Sequence, residues 1–412
     1  MLISILSWLI GGVLVAAAVV VLGLMLATWR IAARAERLVP ACGKFVEFDG
    51  NRIHYVEAGE GRPIVFLHGL GAQLHHFRHT LFGHFGAGYR LIALDRPGSG
   101  YSVRADGASG RLPEQAEMVR RFIGELGLER PLIVGHSLGG AVALALAVGH
   151  PAAISGIALL APLTHLEERV RQKFDLLYIP SRLWRRVIAY TVAIPASLKY
   201  AEPTMKFIFA PQTVPEDYMI AGGGWLGLRP THFHATSTDV VAVEEDLGRL
   251  EQHYGEIAVP AGILFGTEDR VIGIATHGEP MLDKINGLDF ERIEGLGHMP
   301  VVAGTRCRLH PAYRRTCVCR RDLNFDGNCA EPNDPAAHGL VTQTCRASRS
   351  TPIFSWNFCI QPRVSLASPS HLGDQPNGVS NAYENSCSLR AHAGYGNLGY
   401  GAVLGHVVVV AP

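Results

Sequence analysis

Residues 1–29 are apolar almost without a break and carry no charged side chain, after which Arg30, Arg34 and Arg37 follow. A run of that length predicts a bilayer-spanning helix. Trp8 and Trp29 stand 21 positions apart, about 31 Å at ~1.5 Å per helical residue, so the two indoles fall near opposite interfaces. The competing reading is a cleaved signal peptide. Against it, no basic residue precedes the run, the run is long, and no small-residue cleavage site stands out. Positive charge only downstream of the anchor orients the remainder of the chain toward the cytoplasm.

Beyond the anchor, short apolar runs alternate with helical spacing, the pattern of an α/β fold built on a mostly parallel sheet with helices on both faces. The segments 52–59, 63–69, 89–95, 131–137 and 154–162 are expected as strands. Several are continuously apolar, as strands covered on both faces are. Segments 112–127 and 138–150 have helical spacing and occupy the crossover positions.

From 163 to about 240 that rhythm stops. This stretch holds Trp184, Phe207, Phe209 and Trp225 between helix-breaking prolines and glycines, and it reads as an inserted helical lid; a second layer of ordinary core is the plainer alternative. Strand-then-loop patterns resume at 261–271 and 289–299. The expected organisation is thus an anchor (1–30), a juxtamembrane linker (31–44), a core in two parts (45–162 and 241–303) around the lid (163–240), and a tail (304–412).

The strongest chemical signal is "LIVGHSLGGAVALAL", an apolar strand, then Gly135-His136-Ser137-Leu138-Gly139, then a helix of small residues. Glycines on both sides of Ser137 allow the tight turn that lifts its hydroxyl to a helix N-terminus, where backbone N–H groups meet developing negative charge. A serine hydroxyl needs a base, and the base needs an orienting carboxylate. His298, past the last strand, is the candidate base. Asp269, past the strand before it, is the candidate acid, with Glu268 its nearest rival; the end of the strand ahead of the lid offers only Ala161 and Pro162. An oxyanion needs two fixed donors. The amide of Leu138 supplies one, and the turn His68-Gly69-Leu70 supplies the other at Leu70.

The motifs "VFLHGLG", "LIALDRPGSGYS", "VGHSLGG", "ILFGTEDRVI" and "EGLGHMP" together resemble the α/β-hydrolase superfamily, of the esterase-like kind with a helical cap, over about residues 45–303. The resemblance implies a Ser137, Asp269 and His298 triad, an oxyanion hole from the amides of Leu70 and Leu138, and acyl-enzyme hydrolysis without cofactor or metal. It also makes Asp95 structural. Related dehalogenases and epoxide hydrolases carry aspartate at the elbow, so Ser137 argues against those chemistries. The expected activity is hydrolysis of a small apolar ester by a membrane-anchored enzyme. Cleavage of C–C or amide bonds, or an inactive binding protein of the same fold, are the alternatives.

Composition adds limits. The chain has 412 residues, 48% hydrophobic, and a net charge of +1, without the basic runs that nucleic-acid binding requires. Seven of the 8 cysteines fall after residue 303. A disulfide scaffold conflicts with a cytoplasmic location and an odd count, and zinc spacing is lacking. A shifted reading frame or fusion scar accounts for the abrupt change; an unrecognised appendage is the other reading. Within the tail, "DLNFDG" (322–327) opens like a calcium loop but has Asn333 where a bidentate glutamate is expected.

Overall fold

The computed structural model describes residues 1–301 together with Thr305–Leu309 and Trp356–Ile360. The readings of 304–412 as a frame shift, appendage, disulfide scaffold, zinc module or calcium loop lie outside the described residues, apart from the backbone of those two strands. Eight strands form the main sheet: β1 (Lys44–Phe48), β2 (Asn51–Ala58), β3 (Gly61–Leu67), β4 (Gly88–Leu94), β5 (Leu132–His136), β6 (Gly156–Leu160), β7 (Ala261–Gly266) and β8 (Asp289–Ile293). Their order is β1-β2-β4-β3-β5-β6-β7-β8, antiparallel for the first two pairings and parallel from β4 onward. Strands β9 (Thr305–Leu309) and β10 (Trp356–Ile360) pair antiparallel with each other.

The sheet works as the sequence pattern requires. Every residue of β6 and β7 is buried, so neither face of these central strands meets water. One face packs under α3 (Leu112–Glu125) and α4 (Leu138–Gly149) through Val65, Leu67, Phe122, Leu144 and their neighbours. The other holds a separate cluster around Phe66, Leu91, Val134 and Phe77 of the short helix α2 (His75–Arg78). Helix α3 starts with a proline in its first turn and ends where Gly127 takes φ +58°, a left-handed stop that glycine adopts without a Cβ clash.

Three boundaries differ from the sequence reading. The first helix, α1, runs without interruption from Leu2 to Leu38, so most of the expected linker is helix. Its last turns bury Ala35 and, just beyond, Val39, and docking rather than composition sets its end. Strand β1 precedes the first expected strand; its half-buried edge position leaves only a weak apolar signal. The lid helices are α5 (Glu168–Lys173), α6 (Arg182–Ile188), α7 (Ile194–Phe209) and α8 (Pro230–Leu250), with a π-turn at Ala189–Ala193 joining α6 to α7. Helix α8 continues ten residues past the expected lid boundary at 240, because its inner face, including Ala242 and Leu247, is buried.

Cap and core are joined by a charged clamp that no sequence pattern announced. Arg96, fully buried, donates to Gln115 on α3 (2.6 Å) and to Asp239 on α8 (2.7 Å). Asp239 also pairs with Arg104. Removing one partner of a buried pair strands the other charge, at a cost of about 3–5 kcal/mol. Asp239→Asn is therefore expected to lower the urea midpoint by a corresponding amount and to loosen the cap; an unchanged midpoint would count against the clamp.

Candidate active site

Strands β3, β5, β7 and β8 all point their C-terminal ends at one place, and the loops leaving them carry the candidate residues. Ser137 follows β5 with φ +52° and ψ −119°, a conformation that L-residues adopt only when their surroundings impose it. The imposition is visible at the flanking glycines. A Cβ on Gly139 would lie 2.0 Å from the Leu67 carbonyl oxygen, and one on Gly135 would lie 2.5 Å from that of Gly139. Helix α4 is thus pressed against β3 with no room for a side chain, and the serine is raised on the turn between them.

On the neighbouring strands, Asp269 Oδ2 lies 2.8 Å from His298 Nδ1. Its Oδ1 accepts from the amides of Val271 (2.9 Å) and Ile272 (3.0 Å), and the carboxylate is fully buried. Glu268 is exposed and uses only its backbone, bonded to Leu296. The structure therefore joins Asp269, not Glu268, to His298. With Nδ1 occupied, Nε2 is the ring nitrogen left for chemistry. The Ser137 hydroxyl forms no hydrogen bond with His298 or with any other described residue.

Leu70, Ser137 and Leu138 line one cavity together with Leu163, Phe174 and Val243. No hydrogen bond ends on the amide of Leu70 or Leu138 among the described residues, so both donors are open. The loop that carries Leu70 is fixed from below: Arg96 donates to the carbonyls of His68 (2.9 Å) and Gly69 (3.1 Å). His68 itself accepts from the Arg96 amide through Nε2 (2.9 Å), and burial followed by the Arg96 charge holds it neutral, well below its usual range. Asp95 sits outside this group. It accepts from His54, Leu74 and Tyr101; burial alone would raise its pKa, but the His54 partner and the other donors hold it below the usual carboxylate value.

Residues 62–207 match the family described as alpha/beta hydrolase fold, and the strand order with its serine elbow agrees. The chain carries an α/β-hydrolase core. Over 129 residues the chain is 38% identical to a dihydrolipoyllysine-residue acetyltransferase component of an acetoin cleaving system from Cupriavidus necator, a match covering 31% of this chain and 34% of that protein, so the chain spans about a third of that relative's length. Over 259 residues it is 27% identical to a 2-hydroxy-6-oxo-6-phenylhexa-2,4-dienoate hydrolase from Comamonas testosteroni, covering 60% of this chain and 84% of that one. Among solved structures, a membrane phospholipase A is similar in fold, with a TM-score of 0.52 at 22% identity over 73% of this chain and 93% of the other.

Sequence reasoning missed the buried histidines near this site. His76, His136 and His298 form a column, with ring centroids 4.8 Å and 4.9 Å apart. His136 Nε2 donates to the His298 carbonyl (2.9 Å), which leaves its Nδ1 without a partner among the described residues. A histidine in a strand-end motif carries no signal of where its ring will go, so only packing reveals this.

Burial pushes His76 down to about 3, and His75 and His277 to about 4. An unfolded histidine titrates near ~6.5. Between that value and the folded one, the unfolded chain binds a proton that the folded chain refuses, so stability falls as pH falls. Each such group contributes a slope of about 1.4 kcal/mol per pH unit. The denaturation midpoint is expected to drop progressively below pH ~6.5, with His76→Phe removing part of the slope; a flat profile from neutral to pH ~4.5 would contradict this.

Proposed function

We propose that this chain is a membrane-anchored serine hydrolase that cleaves carboxylic esters through an acyl-enzyme. The observation that carries the reading is the Asp269–His298 contact at 2.8 Å beside a strained serine whose cavity also presents two open amides. In the proposed sequence His298 Nε2 takes the proton of Ser137 as its oxygen attacks the ester carbonyl. The amides of Leu70 and Leu138 hold the tetrahedral oxyanion, and His298 returns the proton to the departing alcohol. Water then repeats the cycle on the acyl group. The absent Ser137–His298 hydrogen bond is compatible with this order, since such contacts often tighten only when substrate is in place.

The cavity restrains the substrate. Its volume is about 80 Å³, and its walls are mainly leucine, valine and phenylalanine. A short apolar acyl group fits; a long chain requires the cap to open. A second reading, hydrolysis of a C–C bond by the same serine machinery, is favoured by the match that spans 84% of the Comamonas testosteroni enzyme. A panel of short esters and vinylogous diketones separates the two.

The anchor is proposed to be α1. Its residues from Ile3 through Leu26 include a long series of exposed apolar side chains, and its most apolar 18-residue window, with mean hydropathy 2.8 and no buried residue, suits a lipid environment. Arg30, Arg34 and Arg37, in the last turns of α1 beyond its apolar run, favour a cytoplasmic catalytic domain.

Ser137→Ala is expected to lower turnover of a short p-nitrophenyl ester by about 10³-fold or more and to abolish fluorophosphonate labelling, with the melting midpoint unchanged. Asp269→Asn is expected to lower turnover by about 10⁴-fold, because the imidazole loses the acceptor that fixes its tautomer. Full ester turnover in the Ser137 variant, or failure of the wild type to label, would remove the assignment.

A further inference from the structure

A second concavity lies between the cap and the core loop 98–111 and shares no lining residue with the Ser137 cavity. It is larger, about 890 Å³, and six arginines line it against the two carboxylates of Asp106 and Glu245. Arg104, Arg111 and Arg229 line it but are each held by a carboxylate, those of Asp239, Asp246 and Glu36. Arg182, Arg185 and Arg186 on α6 also line it, and none of them pairs with a carboxylate among the described residues. Arg185 is buried and aimed by bonds to the Ile179 carbonyl (3.0 Å) and to Thr238 Oγ1 (2.8 Å), whereas Arg182 and Arg186 are exposed. His234, in the same wall, is held below its usual value by burial and then by Arg185, Arg104, Arg186 and Arg182, which reports the positive potential inside.

The cleft also has a fixed height relative to α1. Thr28, one residue before Trp29, donates through Oγ1 to the Thr191 carbonyl at 2.8 Å, within the π-turn that links α6 to α7. Arg229, in the cleft wall, pairs with Glu36 of α1, and Arg34 stacks on Trp225. Residues of α6 therefore stand level with the end of the apolar run. There they expose Leu183 (69%), Trp184 (61%) and Val187 (41%), a large apolar patch beside three uncompensated guanidinium groups. Apolar patches of this kind mark contact surfaces, and planar guanidinium groups suit phosphate oxygens.

We propose that the cleft binds the phosphate of an anionic phospholipid headgroup, with the Leu183, Trp184 and Val187 face of α6 set into the leaflet that α1 enters. The occupant is a lipid because Thr28 and Glu36 tie the cap to α1 at the end of its exposed apolar run, so the exposed apolar side chains of α6 lie at the height of a leaflet surface and would stay in water if only a soluble anion were bound. This assignment rests on the reading of α1 as a membrane helix, and that dependence is measured separately below.

The test places the full chain in nanodiscs of phosphatidylcholine with and without phosphatidylglycerol. Co-elution of protein with discs reports insertion of α1 by itself. Quenching by lipids brominated near the top of the acyl chain is then compared between wild type and Trp184→Phe, which isolates the Trp184 signal. Trp184 is expected to be quenched, with brominated phosphatidylglycerol favoured over brominated phosphatidylcholine by about fivefold for each exposed arginine. Arg182→Gln with Arg186→Gln is expected to erase that preference while disc association and the melting midpoint remain; Arg182→Lys with Arg186→Lys, which keeps the charge, is expected to retain most of it. Co-elution without Trp184 quenching overturns the proposal, as does equal quenching by the two lipids. So does saturable binding of inorganic phosphate in phosphatidylcholine discs with no phosphatidylglycerol preference in the quenching, which would assign the cleft to a free anion. Crosslinked dimers in which Trp184 is shielded from lipid would assign the face to a second copy and overturn it equally.

Discussion

The arrangement depends on one buried guanidinium. Arg96 is fully enclosed and directs its donors at the carbonyls of His68 and Gly69, at Gln115 and at Asp239. A charge in such a place is tolerated only with complete pairing, and here the pairing reaches three separate elements. The turn that presents the Leu70 amide cannot move without moving α3 or α8. Helix α8 in turn lines the Ser137 cavity through Val240, Val243 and Leu247. The open amide and the cavity wall are thus held to each other across the boundary between core and cap.

The His298 loop is held differently, by segments that precede it in the chain. Gln212 accepts from the Gly297 amide (2.9 Å) and donates to the Gly295 carbonyl (2.8 Å). Gly297 approaches the Ala210 carbonyl so closely that a Cβ there would be 2.1 Å away. Met299 packs with Phe209 and Tyr218, and His136 holds the His298 carbonyl from the nucleophile side. The cap therefore does two jobs, roofing the cavity and clamping the loop that carries the imidazole.

What the sequence disclosed follows from which forces are local. Strand and helix periods, the glycine-flanked Ser137 and the order of Ser137, Asp269 and His298 all lie in short windows, because a tight turn and a strand buried on both faces each leave a local residue pattern. The choice of Asp269 over Glu268 was less legible, since adjacent carboxylates differ only in which face of the loop they take. The Arg96–Asp239 clamp and the histidine column were not legible at all. Their partners are 143 and 60 or more residues apart, and a single buried charge or ring has no period. The continuation of α1 to Leu38 was hidden for a related reason: its last turns are stabilised by packing against the cap rather than by their own composition.

The histidine column bears on the charge that the proposed chemistry creates. A proton arriving on His298 makes an imidazolium in contact with two other rings, and a second positive charge nearby would oppose it. His76 and His136 cannot supply one. Burial keeps His76 neutral and holds His136 well below its usual range, and a charged His298 depresses both further. His76 and His136 therefore add no charge to the column near neutrality, and among the described residues the carboxylate bonded to it is Asp269. Neutral rings give His298 a close-packed apolar backing, while the buried carboxylate, anchored by the Val271 and Ile272 amides, supplies all of the compensating charge. An imidazole in that setting takes up a proton at the expense of one fixed partner and no rearrangement of its neighbours, which is the condition under which electrostatic stabilisation is most effective.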